Sequence, residues 1–449
     1  MTPEVVKTTC CVVGGGPAGL MLSYLLARSG IQVTVLEKHN DFFRDFRGDT
    51  VHPSTLEVLY ELGLLTNFLK LPHQKVTSAG VQLGESSFQA ADFRHVPTRC
   101  KFVALIPQWD FLNFLSDRAK EFPSFELRMQ HEAIDLIRDG GQIAGVVARV
   151  ADGRTVQIQA DLVVGCDGRH SVTRGASQLE LLEFGVPIDV LWFRISRKPD
   201  DPAQVLGNVN YGRALILIDR SKYFQAGLII PKGSFEEIKR GGLEQFRRAI
   251  LQIAPYLDSR VNELQDWDQI KVLTVHINRL RRWYRAGLLC IGDAAHAMSP
   301  AGGVGINLAI QDAVAAANLL TPCLQQGCAS EAALAAVQSR REFPTRITQA
   351  VQVGLHRGFA RIFDNPGPLK APWQVKVALR LPGIHRVLGY AVGIGVRPEH
   401  VRNVKRQAGR GRSLVTAAVG LVAGVAVAIV TLRGVKKSRT RKPATLAAI

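Results

Sequence analysis

The stretch from Thr9 to Lys38, TCCVVGGGPAGLMLSYLLARSGIQVTVLEK, constrains the fold more than any other part of the chain. Cys10 to Val13 has the composition of a buried strand, and the chain then turns through Gly14-Gly15-Gly16-Pro17-Ala18-Gly19. Leu20, Leu22, Leu25 and Leu26 follow at helical spacing, and a second strand, Val33 to Leu36, ends in Glu37. Each part has a physical task in holding a dinucleotide. Gly14 allows the tight turn, Gly16 lets a pyrophosphate approach the backbone and the positive end of the helix, and Gly19 lets helix and strand pack closely. Glu37 stands where a carboxylate accepts both hydroxyls of an adenosine ribose. An acid there disfavours a 2′-phosphate on this nucleotide, so FAD or NAD is expected. Lys38, next in line, is counted with the cofactor-binding residues.

At 449 residues and 47% hydrophobic, the chain can bury a large core, in two domains or one composite. Its seven cysteines show no CxxC spacing and form no disulfide framework. Cys10, Cys11, Cys166 and Cys290 lie in apolar runs and read as small buried hydrophobes in a reducing compartment. The N-terminus enters the first strand almost at once, leaving no room for a signal peptide. A net charge of +18 would suit a nucleic-acid binder if it were spread over one face, but from Arg397 onward twelve Lys and Arg face the single acid Glu399. The folded body is only mildly basic, so no nucleic-acid partner is expected.

Beyond Glu37, Arg44 and Arg47 lie in a loop before a helix that starts at Pro53-Ser54-Thr55. Residues 73–97 read as extended segments that leave the nucleotide domain to supply strands elsewhere. Gln108-Trp109-Asp110 opens a helix from Phe111 to Lys120, with Gln108 at its mouth. Short strands follow, leading to a buried strand that ends in Asp167-Gly168; a turn would explain that pair, and so would a dinucleotide beside it. From Pro187 to Val275 alternating residues predict a sheet. Its strands include Ala214–Asp219, Tyr223–Ile230 and Lys271–Arg279, with a helix over Phe235–Leu257 interrupted at Gly241-Gly242.

A third glycine-rich passage runs from Leu288 through Gly292-Asp293 and His296 to Pro300, Gly302, Gly303, Gly305, Ile306 and Asn307, and then into an apolar helix. Asp293 is placed to bond ribityl hydroxyls. The turn at Gly302 to Asn307 would aim backbone N–H groups and a positive helix end at a flavin pyrimidine, raising the flavin's electron affinity. Pro300, Gly303 and His296 are the candidate catalytic positions. For His296 two readings stay open, a structural bond to nearby backbone and a proton relay.

Taken in order, Gly14 to Gly19, Asp167-Gly168 and Gly292-Asp293 make the chain resemble the FAD-dependent aromatic hydroxylases typified by p-hydroxybenzoate hydroxylase. The resemblance spans about residues 5 to 400. It implies an α/β fold, with a Rossmann-like domain for FAD and NAD(P)H, an inserted β-sheet substrate domain and C-terminal helices. It further implies that Glu37 binds the adenosine ribose, that Arg47 and Gln108 contact the FAD phosphates and ribityl region, and that Asp293 holds the ribityl chain. Asp167-Gly168 would serve both FAD and the nicotinamide cofactor, and Gly303 to Asn307 would cradle the flavin ring. The implied activity is hydroxylation of a small molecule by NADH or NADPH and O2 through a flavin C4a-hydroperoxide. A reductase or desaturase of isoprenoid-like substrates, or a flavin-binding redox protein without turnover, are the alternatives.

On this reading the FAD domain comprises residues 1–72, 98–180 and 276–330, and the substrate sheet 73–97 and 181–275. A helical region covers 331–409, and a basic tail covers 410–449. Within the tail, Leu414 to Leu432 is an uncharged run of 19 residues, about 28 Å as a helix, which suits a transmembrane anchor on a cytoplasmic enzyme, the alternative being a buried helix of the soluble body. Gly420 and Gly424 give a GxxxG spacing that could let two such helices approach closely as a homodimer, or that arises by chance in a run so rich in Gly and Ala.

Overall fold

The structure is a computed structural model, and it describes residues 4–43, 50–202, 205–364, 367–371 and 373–402. Arg44, Arg47 and the run 414–432 lie outside the described residues, so the expectations placed on them stay outside the structural account.

The first strand spans Glu4–Val13 and lies at the centre of an eight-stranded sheet. It pairs in parallel with Val33–Glu37 on one side and with Thr155–Gly165 on the other; Phe125–Met129 extends the sheet beyond the first, and Leu288–Cys290 followed by the short edge strand Tyr284–Arg285 beyond the second. Parallel strands covered on both faces need apolar residues in succession, and Cys10, Cys11, Val12 and Val13 are all buried. Burial pushes the Cys10 thiol up to about 12, which makes it an inert packing group. An antiparallel ribbon, His131–Asp139 with Gln142–Val150, joins the sheet through Thr155–Gly165.

The second sheet has seven strands in the order Lys271–Thr274, Ile188–Ser196, Tyr223–Pro231, Arg213–Asp219, Val205–Asn210, Ser78–Leu83 and Ser86–Asp92. The early extended segments thus join the later ones, with Ser78–Leu83 running parallel to Val205–Asn210. Period-two alternation gives this sheet two buried faces. Leu191, Phe193 and Ile195 pack with Phe246 and Ile250 of the helix Leu243–Ile253. Val190 and Trp192, on the other face, pack with Ala214, Ile229 and the far end of a long helix, Glu331–Phe363.

Two local expectations change. The strand expected over Lys271–Arg279 is two strands in different sheets, because Asp189 takes the Val275 N–H (3.0 Å) and draws the chain off the large sheet. Ile277–Leu280 then pairs with Leu181–Phe184 as a ribbon between the sheets. The helix expected to run on to Leu257 ends at Ile253 and is followed by a single 3-10 turn, Pro255–Leu257.

The helix Gly305–Leu324 is long and apolar enough to cross a membrane, and with the turn before it is the one such helix among the described residues. Two thirds of its most apolar window, 67%, is buried, with the helices Pro17–Arg28 and Glu331–Phe363 among its neighbours, so its hydrophobicity serves the core.

Candidate active site

All three glycine-rich turns lie at the carboxyl ends of adjacent parallel strands, the end at which open α/β sheets bind ligands. Gly14 has φ of +102°, and a Cβ there would stand 2.5 Å from the carbonyl oxygen of Cys166. The first and second turns are therefore in backbone contact, reinforced by Cys166 N–H donating to Val13 O (2.7 Å). Gly292 closes on the first turn, where its Cβ would lie 3.1 Å from that of Ala18.

The helix Pro17–Arg28 begins at Gly16 with no side chain capping it, and a Cβ on Gly16 would meet nothing within 4 Å. Open space before uncapped N–H groups is what a pyrophosphate requires. Glu37 is buried at the end of its strand; its Oε2 accepts the Gly15 N–H (3.0 Å) and its Oε1 the His39 N–H (3.1 Å). Lys38, beside it, is exposed. Gln108 occupies the first turn of the helix Gln108–Ala119, which Pro107 precedes. These residues fit the adenosine and diphosphate parts of FAD.

Asp167 faces its own loop. Its Oδ1 accepts from the Ser171 (2.6 Å) and Thr173 (2.8 Å) hydroxyls, and its Oδ2 accepts from Thr173 N–H (3.0 Å). Of the two readings of Asp167-Gly168, the geometry of the carboxylate favours the turn. The backbone of Gly168, at φ +80° with open space around it, is the part left facing outward. Sequence reasoning passed over the arginines that follow. Arg169 Nε pairs with Asp293 at 3.2 Å, and Arg174 donates to Ala294 O and Arg169 O, so the second turn is tied to the third.

The third passage is held from several directions. Asp293 is one-third exposed beside Arg169. Gly302 and Gly303 have φ of +81° and +62°, and Thr50 donates to Gly303 O at 2.9 Å. Val304 precedes the helix Gly305–Leu324 with no side-chain cap, leaving Gly305 and Ile306 in an open first turn. Asn307, expected in the flavin cradle, has a fully engaged side chain. Its Oδ1 accepts from His52 N–H (2.9 Å) and the Thr55 hydroxyl (2.7 Å), and its Nδ2 donates to Thr50 O and Gly303 O. It therefore shapes the cradle from behind. Pro300 opens the 3-10 turn Ala301–Gly303, and its carbonyl accepts Gly303 N–H (2.9 Å).

His296 is 1% exposed and packs against Trp283 with ring centroids 4.9 Å apart. Its Nε2 meets Asp312 Oδ2 at 2.6 Å, while Asp312 Oδ1 accepts from Arg341 Nε at 2.9 Å. Burial alone would raise the Asp312 carboxyl, yet His296 and Arg341 hold it below the usual carboxylate range. Gly292 N–H also donates to Asp312 (3.1 Å). The geometry matches the structural reading of His296, with the difference that its partner is a carboxylate sixteen residues on and not nearby backbone.

The comparisons agree with this geometry. Residues 7–351 match the family model described as FAD binding domain. A 6-methylpretetramide 4-monooxygenase from Streptomyces rimosus is 32% identical over 394 residues, covering 85% of this chain and 91% of that protein. Among solved structures, OxyS anhydrotetracycline hydroxylase from Streptomyces rimosus superposes with a TM-score of 0.66 at 22% identity, covering 86% of this chain and 76% of that one. PqsL from Pseudomonas aeruginosa superposes with a TM-score of 0.66 at 23% identity, covering 80% and 100%. At such identities these two structures speak for the fold alone. With the family model covering most of its length, the chain belongs to the FAD binding domain family of FAD-dependent aromatic monooxygenases.

Proposed function

We propose that this protein hydroxylates a planar, fused-ring aromatic small molecule, using FAD with NADPH or NADH and O2. The observation that carries the reading is the convergence of the three glycine turns on one sheet end, with a covered apolar sheet face beside them. Similarity to a monooxygenase whose name specifies 6-methylpretetramide supports the substrate class. When bound, FAD accepts a hydride from the nicotinamide and activates O2.

The chain's own residues bind, orient and exclude water. The amides at Gly15 and Gly16 and the helix end behind them hold the diphosphate, and Glu37 holds the adenosine ribose. Asp293, steadied by Arg169, takes the ribityl hydroxyls. Uncapped N–H groups at Gly305 and Ile306 offer partial positive charge where reduced flavin is negative. His296 acts as a strut for this loop rather than as a proton relay, because its Nε2 is bonded to Asp312 and its ring is buried. The membrane anchor at 414–432 and a homodimer through it belong to the same proposal and rest on the sequence alone.

The test is a paired measurement on the purified yellow protein with NADPH or NADH and a panel of phenolic, quinonoid and isoprenoid compounds. A product heavier by one oxygen, with matching O2 uptake, is expected. A gain of two hydrogens would mean a reductase, and reduction of no compound would leave a redox sensor. Recovery of the whole full-length protein in the soluble fraction without detergent would overturn the anchor.

A further inference from the structure

The long helix Glu331–Phe363 carries a buried polar stripe that its sequence does not advertise. Arg341, Thr345, Gln349, Gln352 and His356 are spaced by three or four residues, so they share one face, and each is at most 4% exposed. This face meets the backbone just before the flavin cradle. Gln349 Nε2 donates to Asn278 O (2.7 Å) and Ala297 O (3.2 Å). Gln352 accepts Ser299 N–H (3.0 Å) and donates to Ser299 O and Ala301 O, each at 3.0 Å. The two glutamines thus fix the path of the chain from Ala297 to Ala301, one residue short of Gly302.

His356 is the last polar member of the stripe. Beyond it the helix continues with Phe359 and Phe363, which with Val353 pack on the sheet face that holds Trp192, Ile216 and Ile229. Trp192 lies over Gly227, where a Cβ would come within 2.9 Å of the indole ring. His356 therefore stands where the cradle-forming loop gives way to the apolar face of the second sheet.

Its hydrogen bonds do not close. His356 Nε2 is 2.7 Å from Ser299 Oγ, and that oxygen already accepts Ala301 N–H at 3.2 Å. If serine donates to Nε2, the imidazole proton is on Nδ1, a fully buried atom with no partner among the described residues. If Nε2 donates instead, the serine proton is the one without a partner. Either tautomer leaves one buried donor unused, a costly arrangement unless a ligand oxygen takes it. Burial also lowers the imidazole to about 4, so the ring is neutral at physiological pH and acts as a donor without charge.

We propose that Ser299 and His356 form the polar end of the substrate pocket, donating one hydrogen bond to a phenol or quinone oxygen of the aromatic substrate. Gln352 sets the pair beside the cradle loop, so the bonded oxygen fixes which ring edge faces the flavin. His356 is thereby a specificity-determining residue, and the assignment rests on the monooxygenase reading above.

The holoenzyme is titrated with 1-naphthol and with naphthalene, following the flavin absorbance change, for wild type, His356→Phe and His356→Gln. Wild type is expected to bind 1-naphthol about tenfold or more tightly than naphthalene. His356→Phe should abolish that preference while leaving naphthalene affinity and FAD content unchanged, and His356→Gln should restore part of it. Should the phenylalanine variant fail to hold FAD, His356→Leu carries the same reading. No preference in wild type, or a full preference in either apolar variant, overturns the proposal. The outcomes separate from those of the functional reading: an enzyme that prefers 1-naphthol through His356 yet oxygenates nothing keeps the subsite and loses the monooxygenase.

Discussion

The first and third glycine passages both follow a parallel strand, yet they are built on opposite principles. The first is local. Gly19 meets Gly14 within the turn, Gly14 meets the backbone of Cys166 beside it, Gly16 faces open space, and one nearby carboxylate, Glu37, holds the turn. The third is supported from across the chain: Thr50, His52 and Thr55 reach Gly303 and Asn307, Asp312 holds Gly292, and Gln349 and Gln352 hold Ala297 to Ala301. A rigid diphosphate needs a fixed backbone cradle, whereas the cradle expected for the flavin ring has to be aligned with a second sheet, and only long-range side chains provide that.

The largest expected effect tests the long-range support. Asp312→Asn removes the nearer carboxylate partner of the buried Arg341 and leaves it Glu399 at 3.4 Å, which should lower unfolding free energy by about 3–5 kcal/mol. Chemical denaturation of apo and holo protein measures it, and a loss below about 1 kcal/mol would show that Glu399 carries Arg341 alone. Next is the local support. The Cβ of Gly19→Ala would stand 2.0 Å from Gly14 O, so the helix must move away from its strand, at about 1–3 kcal/mol and with loss of FAD from the purified protein. Gly16→Ala is its control: nothing lies within 4 Å of that Cβ, so stability should hold while FAD affinity drops. Equal behaviour of the two variants would break the distinction between packing glycine and ligand glycine.

Asn307→Ala comes third. It removes four hydrogen bonds behind the cradle and leaves the Thr55 hydroxyl and His52 N–H to find others, at about 2 kcal/mol. Because the loop would loosen without unfolding, the expected signature is a shifted flavin spectrum at nearly normal FAD content. An unshifted spectrum would mean that Thr50 suffices to hold Gly303.

This contrast also explains what the sequence showed. The glycine turns, the acid at Glu37 and the strand preceding each turn are short-range features, readable because sterics and period dictate them. Asp167-Gly168 was ambiguous for the same reason, since an Asp that caps its own loop and one that faces a ligand share one spacing. Asn307 and His296 were identified as site residues, but their partners stand 252 and 16 residues away, and no local pattern names Thr55 or Asp312. The polar stripe of the long helix was hidden more completely. Gln349, Gln352 and His356 have the composition of a solvated face, and only tertiary contact turns that face inward. The strand over Lys271–Arg279 was misjudged because its alternation continues through the point where Asp189 redirects the chain.

The smallest effect is a pH dependence confined to the long-range support. His52 is 1% exposed and donates from Nδ1 to Val392 O at 2.7 Å, while its backbone N–H holds Asn307. Burial is the main cause that lowers its imidazole from 6.5 to about 4, the Val392 bond opposing in part. The unfolded chain therefore takes up a proton near 6.5 that the folded protein refuses until about 4. Stability is full above the unfolded value, falls as the pH drops through that window, and levels off below about 4. At pH 5.5 the loss from this one group is about 1 kcal/mol relative to pH 7.5. His356, lowered to about 4 by the same cause, adds a similar slope. Unfolding midpoints from pH 7.5 to 5 for wild type and His52→Gln measure the difference, the variant being the flatter. Parallel curves would show that His52 is protonated in the folded state, and would place its ring, and the cradle behind which it packs, in contact with water.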